Sequence, residues 1–175
     1  MRKILWIVLL SCILCALVGC NIEQKDIPVY GVYNLKKDIL ITVGMPKTEV
    51  DARLGDYEIL YTTEYTYFLK NPKHKIIILY DHYPESTVRC IFIDTNNWRV
   101  NDESCYIGAH ADELSESFRS VSPSNEIIRA YYDENGQVLD SSNYAQYYVS
   151  ARAAIEDNCI YRISVVKLQF VNFKN

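Results

Sequence analysis

The apolar residues of the chain follow two periods, which predict a helix in one stretch and strands in others. Between Gly44 and Gly55, Val50 and Leu54 lie one helical turn apart, with mostly polar residues around them. This spacing predicts a short helix with one apolar face. Pro46 suits the first turn of that helix, because a proline there loses no hydrogen bond. Gly55 favours its end, since glycine readily takes the left-handed conformation.

Runs rich in β-branched and aromatic residues, separated by turn residues, predict strands. These runs cover residues 65–69, 75–80, 87–93, 127–132, 144–154 and 159–170. Asn135-Gly136 is a strong hairpin signal because both residues tolerate positive φ. The last two runs flank Glu156–Asn158, and we expect them to pair as a hairpin across that turn.

The helix pattern recurs later in the chain. In the segment Gly108–Phe118, Leu114 takes the place of Val50 and Phe118 that of Leu54. The sequence therefore predicts an α+β fold of two tandem repeats, each a short helical element packed on an antiparallel β-meander. We expect repeat 1 to span residues 38–97, a linker 98–104 and repeat 2 residues 105–170.

The N-terminal residues predict export and attachment to a membrane. Two basic residues precede an uncharged apolar run, Ile4–Val18, which is typical of a secretory signal. The run ends in Leu17-Val18-Gly19-Cys20 and resembles the lipobox of bacterial lipoproteins. The resemblance implies cleavage between Gly19 and Cys20 and attachment of diacylglycerol, with acyl chains such as palmitate, to Cys20. A plain secretory signal or an uncleaved anchor is the alternative.

These features predict the parts that precede the fold. Residues 1–19 would be the signal peptide, and residues 20–37 the lipidated cysteine and a tether. The protein would be lipid-anchored in a bacterial cell membrane or outer membrane, facing away from the cytoplasm.

Charge narrows the class of partner. The chain has 18 basic and 22 acidic residues, a net charge of −4, and the predicted signal peptide contains two of the basic ones, leaving about −6. Nucleic-acid binding depends on clustered Lys and Arg, so we expect no nucleic-acid partner.

Three cysteines lie after Cys20: Cys90, Cys105 and Cys159. Two arrangements of these cysteines are possible: one disulfide and one free thiol, or three buried thiols that act as small apolar residues.

The segment Gly-Met-x-x-x-x-Val-x-x-x-Leu-Gly at residues 44–55, opening a helix ahead of antiparallel strands, resembles the repeat of β-lactamase-inhibitor-protein-like folds. BamE/SmpA-type outer-membrane assembly lipoproteins share that repeat. The resemblance covers most of residues 38–170. It implies helical elements packed on one face of a sheet whose other, concave face meets a partner.

We find no pattern typical of a catalytic or metal site. His74, His82 and His110 lack metal-ligand spacing and are expected to be solvated loop residues. No nucleophile elbow, phosphate-binding glycine loop or dinucleotide motif occurs. The acidic residues near Asp112 are explained by the start of the predicted second helix. We therefore predict no enzyme activity, no metal and no cofactor.

Tyrosine is the unusual component, with 15 residues in the chain. In the adjacent pairs Tyr131-Tyr132 and Tyr147-Tyr148, strand alternation sends one ring to each face of a sheet. Tyrosine is enriched at protein interfaces, although it also simply suits strands. The predicted function is a non-catalytic envelope lipoprotein that acts as a protein-binding or assembly module through its exposed sheet face. A small envelope enzyme or ligand-binding protein on the same scaffold is the alternative.

Overall fold

A computed structural model describes residues 27–63, 66–81, 86–122 and 126–168. The predicted signal peptide, Cys20 and His82 lie outside these residues. The described strands are β1 (Gly31–Asn34), β2 (Ile39–Thr42), β3 (Glu58–Thr62), β4 (Thr66–Asn71), β5 (Ile76–Asp81), β6 (Thr87–Ile93), β7 (Trp98–Arg99), β8 (Arg119–Ser120), β9 (Ile127–Tyr132), β10 (Val138–Leu139), β11 (Tyr147–Ala153) and β12 (Ile160–Lys167). One α-helix among the described residues, α1 (Lys47–Leu54), and a 3-10 turn, Ala111–Glu113, complete the set.

Nine strands form one antiparallel sheet. Its order is β10-β9-β11-β12-β6-β5-β4-β3, with β8 also paired to β9. The strands from β3 to β6 follow one another as a meander, and β11 and β12 form a hairpin. The two groups join where β12 pairs with β6. Antiparallel sheets tolerate one covered and one open face, and this sheet alternates buried and less buried residues along β4, β5 and β9.

A second sheet of three strands, in the order β2-β1-β7, contributes to the same core. Val32 and Ile41 of this sheet are fully buried together with Ile163 of the large sheet. Trp98 of β7 is also fully buried, and its indole Nε1 donates a hydrogen bond of 2.8 Å to the carbonyl oxygen of His74. The core therefore lies between the two sheets, on one face of the large one.

The helix predicted after Gly44 is confirmed as α1. Val50 and Leu54 are its two buried residues, as the spacing predicted. Pro46 is the N-cap rather than the first helical residue, with extended backbone angles. Gly55 has φ 73° and donates its backbone N–H to the carbonyl oxygen of Asp51 at 2.9 Å, which ends the helix.

The prediction of an α+β fold with repeated helix-on-meander units is wrong. The protein is mostly β, with one sheet of nine strands and one of three. The second predicted helix is reduced to the 3-10 turn Ala111–Glu113. Leu114 has extended angles, φ −62° and ψ 146°, which stop the turn. Ser115 then donates its backbone N–H to Ser104 Oγ at 2.8 Å, and its own hydroxyl bonds Asp102. Serine side chains that bond in this way favour turns over helix interiors.

The two segments nevertheless begin alike. Gly44 donates its N–H to the carbonyl oxygen of Val88 at 2.6 Å, and Gly108 donates to that of Ile160 at 2.7 Å. Both glycines have positive φ, 85° and 93°. The shared glycine therefore reflects a shared backbone contact, and only the residues after it decide whether a helix forms.

Two segments assigned to connections form strands instead. Residues 31–34, within the predicted tether, are β1, the central strand of the small sheet. Trp98 and Arg99, within the predicted linker, are β7. The sequence pattern did not reveal these strands, because they are only four and two residues long, too short for a period to be visible. Among the described residues, no helix has the length and hydropathy needed to cross a bilayer.

Candidate functional site: the open face of the large sheet

The large sheet has a core face and a second face, which we call the open face. Along β12, Ile163 and Val165 are buried in the core, whereas Ser164 and Val166 line a cavity on the opposite side. Successive side chains of a strand point to opposite faces, so each strand that supplies the core also supplies the open face.

The open face holds a cavity of about 500 Å³. The residues that line it are Thr66, Phe68, Leu79, Arg89, Cys90, Phe92, Ile127, Arg129, Tyr148, Ser150, Arg152, Arg162, Ser164 and Val166. Four of these residues are arginines, and none of the described lining residues is acidic. The cavity is therefore strongly cationic, although the chain as a whole is acidic.

The four arginines of the cavity come from four neighbouring strands. Arg129 lies on β9, Arg152 on β11, Arg162 on β12 and Arg89 on β6, and these strands are adjacent in that order. We call Arg89, Arg129, Arg152 and Arg162 the arginine cluster. Its members are up to 73 positions apart in sequence, so only the pairing of the strands brings them to one cavity.

A bulge in β6 places Arg89 in the cluster. Leu79 pairs with Cys90 and Tyr80 with Val88, which leaves Arg89 as the extra residue. Arg89 and Cys90 both line the cavity for this reason, as expected of a bulge that redirects a side chain. Burial raises the pKa of the Cys90 thiol to about 12, so at neutral pH the thiol is protonated and a poor nucleophile.

Two contacts hold members of the cluster in place. Arg89 Nη1 lies 3.3 Å from Asp81 Oδ1, a carboxylate of neighbouring β5. The guanidinium carbon of Arg129 lies 4.9 Å from the ring centroid of Tyr148, within cation–π range. Arg129 Nε is buried and has no hydrogen-bond partner among the described residues. Burial raises the pKa of Tyr148, while Arg129 opposes that rise.

The four tyrosines named from the sequence form two cross-strand pairs. Tyr131 is directly opposite Tyr148, and Tyr132 is directly opposite Tyr147. The first pair lies on the side of the cavity, with ring centroids 6.1 Å apart. In the second pair, Tyr132 is 5% exposed and Tyr147 packs against the core. Tyr131 and Tyr148 are therefore the members that a partner on the open face can reach.

Aromatic rings continue across the far side of the cavity. The ring centroids of Phe68 and Phe92 are 6.4 Å apart, and Tyr61 of β3 lies 6.3 Å from Phe68. The open face thus offers arginine guanidinium groups between two aromatic borders. Both residue types are enriched in interface hot spots.

The histidines and cysteines are not gathered into a site. His74 is buried rather than solvated. Its backbone carbonyl oxygen accepts a hydrogen bond from Trp98 Nε1, and its backbone N–H donates one to Asn71 Oδ1. Burial, with Lys73 and Lys37 nearby, lowers the pKa of His74. Cys90, Cys105 and Cys159 are free thiols, the first two buried. No group of three metal-ligating side chains occurs within the described ranges.

The arginine cluster was not among the sites predicted from the sequence. Its signal was nonetheless present, since Arg129, Arg152 and Arg162 lie inside predicted strands at positions that alternate with apolar ones. That alternation placed each arginine on the open side of its own strand. It did not show that the strands are adjacent.

No protein-family model matches the chain, and no curated protein matches it. Among solved structures, the chain is similar to a crystal structure of a cysteine-rich secretory protein from Staphylococcus aureus subsp. aureus Mu50, with 11% identity and a TM-score of 0.44. The match covers 71% of this chain and 44% of that one, so this chain spans less than half the length of that protein. The resemblance to β-lactamase-inhibitor-protein-like repeats remains a prediction.

Proposed function

We propose that the protein is a lipid-anchored, non-catalytic lipoprotein of the bacterial cell envelope that binds a protein partner through the open face of its large sheet. The anchor is the lipid on Cys20 implied by Leu17-Val18-Gly19-Cys20. This lipid attaches the protein to the cell membrane or outer membrane, and the folded part faces away from the cytoplasm.

One observation carries the proposal: arginine and tyrosine side chains meet at a single cavity on the open face. Tyr148 and Arg129 contact each other there, and Tyr131 lies beside Tyr148. Interfaces are enriched in Tyr and Arg, which bury large areas and make directional hydrogen bonds.

The cavity also suits side chains of a partner. Its volume of about 500 Å³, within the range of about 300–1,000 Å³ known for small-molecule pockets, also leaves room for a few side chains. Its lining mixes apolar side chains such as Phe92 and Val166 with hydroxyls of Ser150 and Ser164. A few apolar and polar side chains of another protein fill such a space.

Affinity capture with matched variants tests the proposal. The full-length protein, extracted in detergent from its own membrane, is used to capture envelope proteins that mass spectrometry then identifies. We expect Tyr131→Ala and Tyr148→Ala each to weaken capture of the same protein by about 1–2 kcal/mol, with a smaller loss of stability than the core-face variants Tyr132→Ala and Tyr147→Ala. Tyr144→Ala is the control, because Tyr144 is 86% exposed and lies outside the cavity lining.

The core-face members of the same pairs complete the test. Tyr132→Ala and Tyr147→Ala remove packing and are expected to lower the urea midpoint of unfolding. If the open-face and core-face variants change stability alike, and capture is equal for all of them and for Tyr144→Ala, the open face is not the binding surface.

A further inference from the structure

We propose that the segment bound on the open face is acidic, and that its carboxylates are held between pairs of arginines that the sheet places directly opposite each other. This inference rests on the proposed function, because it names the chemistry of the partner at the same site.

The register of the sheet creates two arginine–arginine pairs. Arg152 of β11 is directly opposite Arg162 of β12, and Arg119 of β8 is directly opposite Arg129 of β9. Like charges directly opposite each other across a strand pair are destabilising. The isolated protein therefore bears a repulsion at two points of one face.

Among the described residues, no carboxylate lies within ion-pair distance of Arg119, Arg129, Arg152 or Arg162. The ion pairs found among them involve Lys47, Arg53, Arg89 and His110 instead. Arg152 and Arg162 are both exposed. A carboxylate placed between the two members of a pair would bond both guanidinium groups and remove their repulsion.

Arg89, the remaining arginine of this face, shows how a carboxylate binds there. Asp81 Oδ1 lies 3.3 Å from Arg89 Nη1 at the edge of the cavity. Guanidinium groups bind carboxylates in a planar, often bidentate geometry. We infer that an acidic partner repeats this contact at the two arginine–arginine pairs.

A protein segment fits the cavity better than nucleic acid or an anionic membrane. Phe68, Leu79 and Phe92 line the cavity beside the arginines, so the occupant brings apolar side chains with its carboxylates. Long polyanions respond to the field of the whole molecule, and the net charge of this chain is −4. A short acidic segment needs only the local positive charge.

The test uses the full-length protein in detergent and a fluorescein-labelled peptide of alternating Glu and Phe. We expect saturable binding that weakens as salt is added, because the contacts are ionic. A peptide with Gln in place of every Glu is expected to bind with an affinity lower by about tenfold or more, since charge-assisted hydrogen bonds are lost. Equal binding of the Glu and Gln peptides overturns the inference.

Charge removal on the protein gives two readouts that move in opposite directions. Arg152→Gln removes the repulsion with Arg162, so we expect a higher thermal midpoint for the unliganded protein and weaker peptide binding. Lys37→Gln is the control, because Lys37 is an exposed cation on the β1–β2 turn, and both readouts should stay unchanged. A lower thermal midpoint with unchanged binding for Arg152→Gln contradicts the inference.

Further outcomes separate this inference from the proposed function. If Tyr148→Ala weakens capture of the envelope protein while Arg152→Gln and Arg162→Gln leave it unchanged, the proposed function stands and the acidic partner is wrong. If single-stranded DNA or vesicles rich in anionic lipid bind more tightly than the Glu peptide, the acidic protein segment is wrong. If the peptide binds as expected but no envelope protein depends on the open face, the proposed function fails, and this inference fails with it.

Discussion

At the scale of single residues, an aromatic ring holds Arg129 in place on the open face. Its guanidinium lies over the ring of Tyr148 at 4.9 Å, a contact worth about 0.5–2 kcal/mol depending on solvation. The contact fixes the arginine without neutralising it. Arg129 is therefore held in one orientation on the open face, with its guanidinium group available to an anionic group.

Burial of three tyrosines makes the protein less stable at alkaline pH. Burial raises the pKa of Tyr57 and of Tyr132 to about 12 and also raises that of Tyr80. The unfolded chain loses these phenolic protons near pH 10, whereas the folded chain keeps them. The stabilisation is therefore complete below about pH 10 and is lost as the pH rises towards about 12.

We expect the urea midpoint of unfolding to fall progressively above about pH 10, and to fall less steeply in Tyr132→Phe, which has no ionisable hydroxyl. The measurement is a set of urea titrations at several alkaline pH values for both proteins. An identical pH dependence of the two midpoints would show that Tyr132 ionises equally in the folded and unfolded chains.

Trp98 tests the junction between the two sheets. It is fully buried, and its Nε1 donates to the carbonyl oxygen of His74 at 2.8 Å. We expect Trp98→Phe to lower the free energy of unfolding by about 1–3 kcal/mol, because a buried acceptor loses its donor. Urea denaturation of both proteins measures this loss. A change close to zero would mean that water replaces the indole donor.

At the scale of elements, α1 is joined to the large sheet by apolar packing and by one buried amide. Asn71, at the end of β4, donates from Nδ2 to the carbonyl oxygens of Leu54 and Asp56, at 3.1 and 2.8 Å. Its Oδ1 accepts the N–H of His74 at 2.8 Å. These bonds satisfy carbonyl groups that the end of a helix otherwise leaves unpaired.

The packing of α1 can be tested at Leu54, which is 4% exposed. Leu54→Asp should unfold the domain or lower its stability by several kcal/mol, since it buries an unpaired charge. Ala52→Asp is the matched control, because Ala52 is an exposed residue of the same helix. Thermal melting followed by circular dichroism measures both variants. Equal melting temperatures would mean that α1 does not pack as described.

The sequence predicted the long elements and missed the short ones. Val50 and Leu54 marked the buried face of α1, and the run from Ile127 to Tyr132 marked β9, because each is long enough to show a period. Phe118 is buried, 7% exposed, as expected for a core residue. Its segment is not a helix, because side-chain bonds of Ser115 and Ser104 to Asp102 compete with helical ones.

The candidate site was predictable in part. Strand alternation required one tyrosine of each adjacent pair to face away from the core, and the structure places Tyr131 and Tyr148 there. The opposition of Arg152 and Arg162 depends on the register of β11 with β12. A shift of one residue changes which side chains meet, and the sequence does not fix that register.

At the scale of the whole molecule, charge is unevenly distributed. The chain has a net charge of −4, yet the cavity of the open face is lined by four arginines and by none of the described carboxylates. Such separation steers a partner of complementary charge towards one face. The acidic remainder of the chain disfavours non-specific binding to polyanions.

Membrane attachment is tested at Cys20. We expect Cys20→Ala to accumulate as an unprocessed precursor that incorporates no labelled palmitate, because the thiol that accepts the lipid is gone. Cys12→Ala, a cysteine within the predicted signal peptide, is the control and should be processed normally. If Cys20→Ala is cleaved and still partitions into the detergent phase as the unaltered protein does, the predicted lipidation is wrong.

Site-specific photo-crosslinking in intact cells shows whether a protein partner contacts the open face. A benzoylphenylalanine side chain replaces Tyr131, Tyr148 or Tyr144 in the full-length protein, one position at a time. We predict that illumination joins the same protein partner to positions 131 and 148 and not to position 144, which is 86% exposed. We also predict that Arg152→Gln reduces the yield at position 148. Equal crosslinking at all three positions, or none at 131 and 148, would contradict the account.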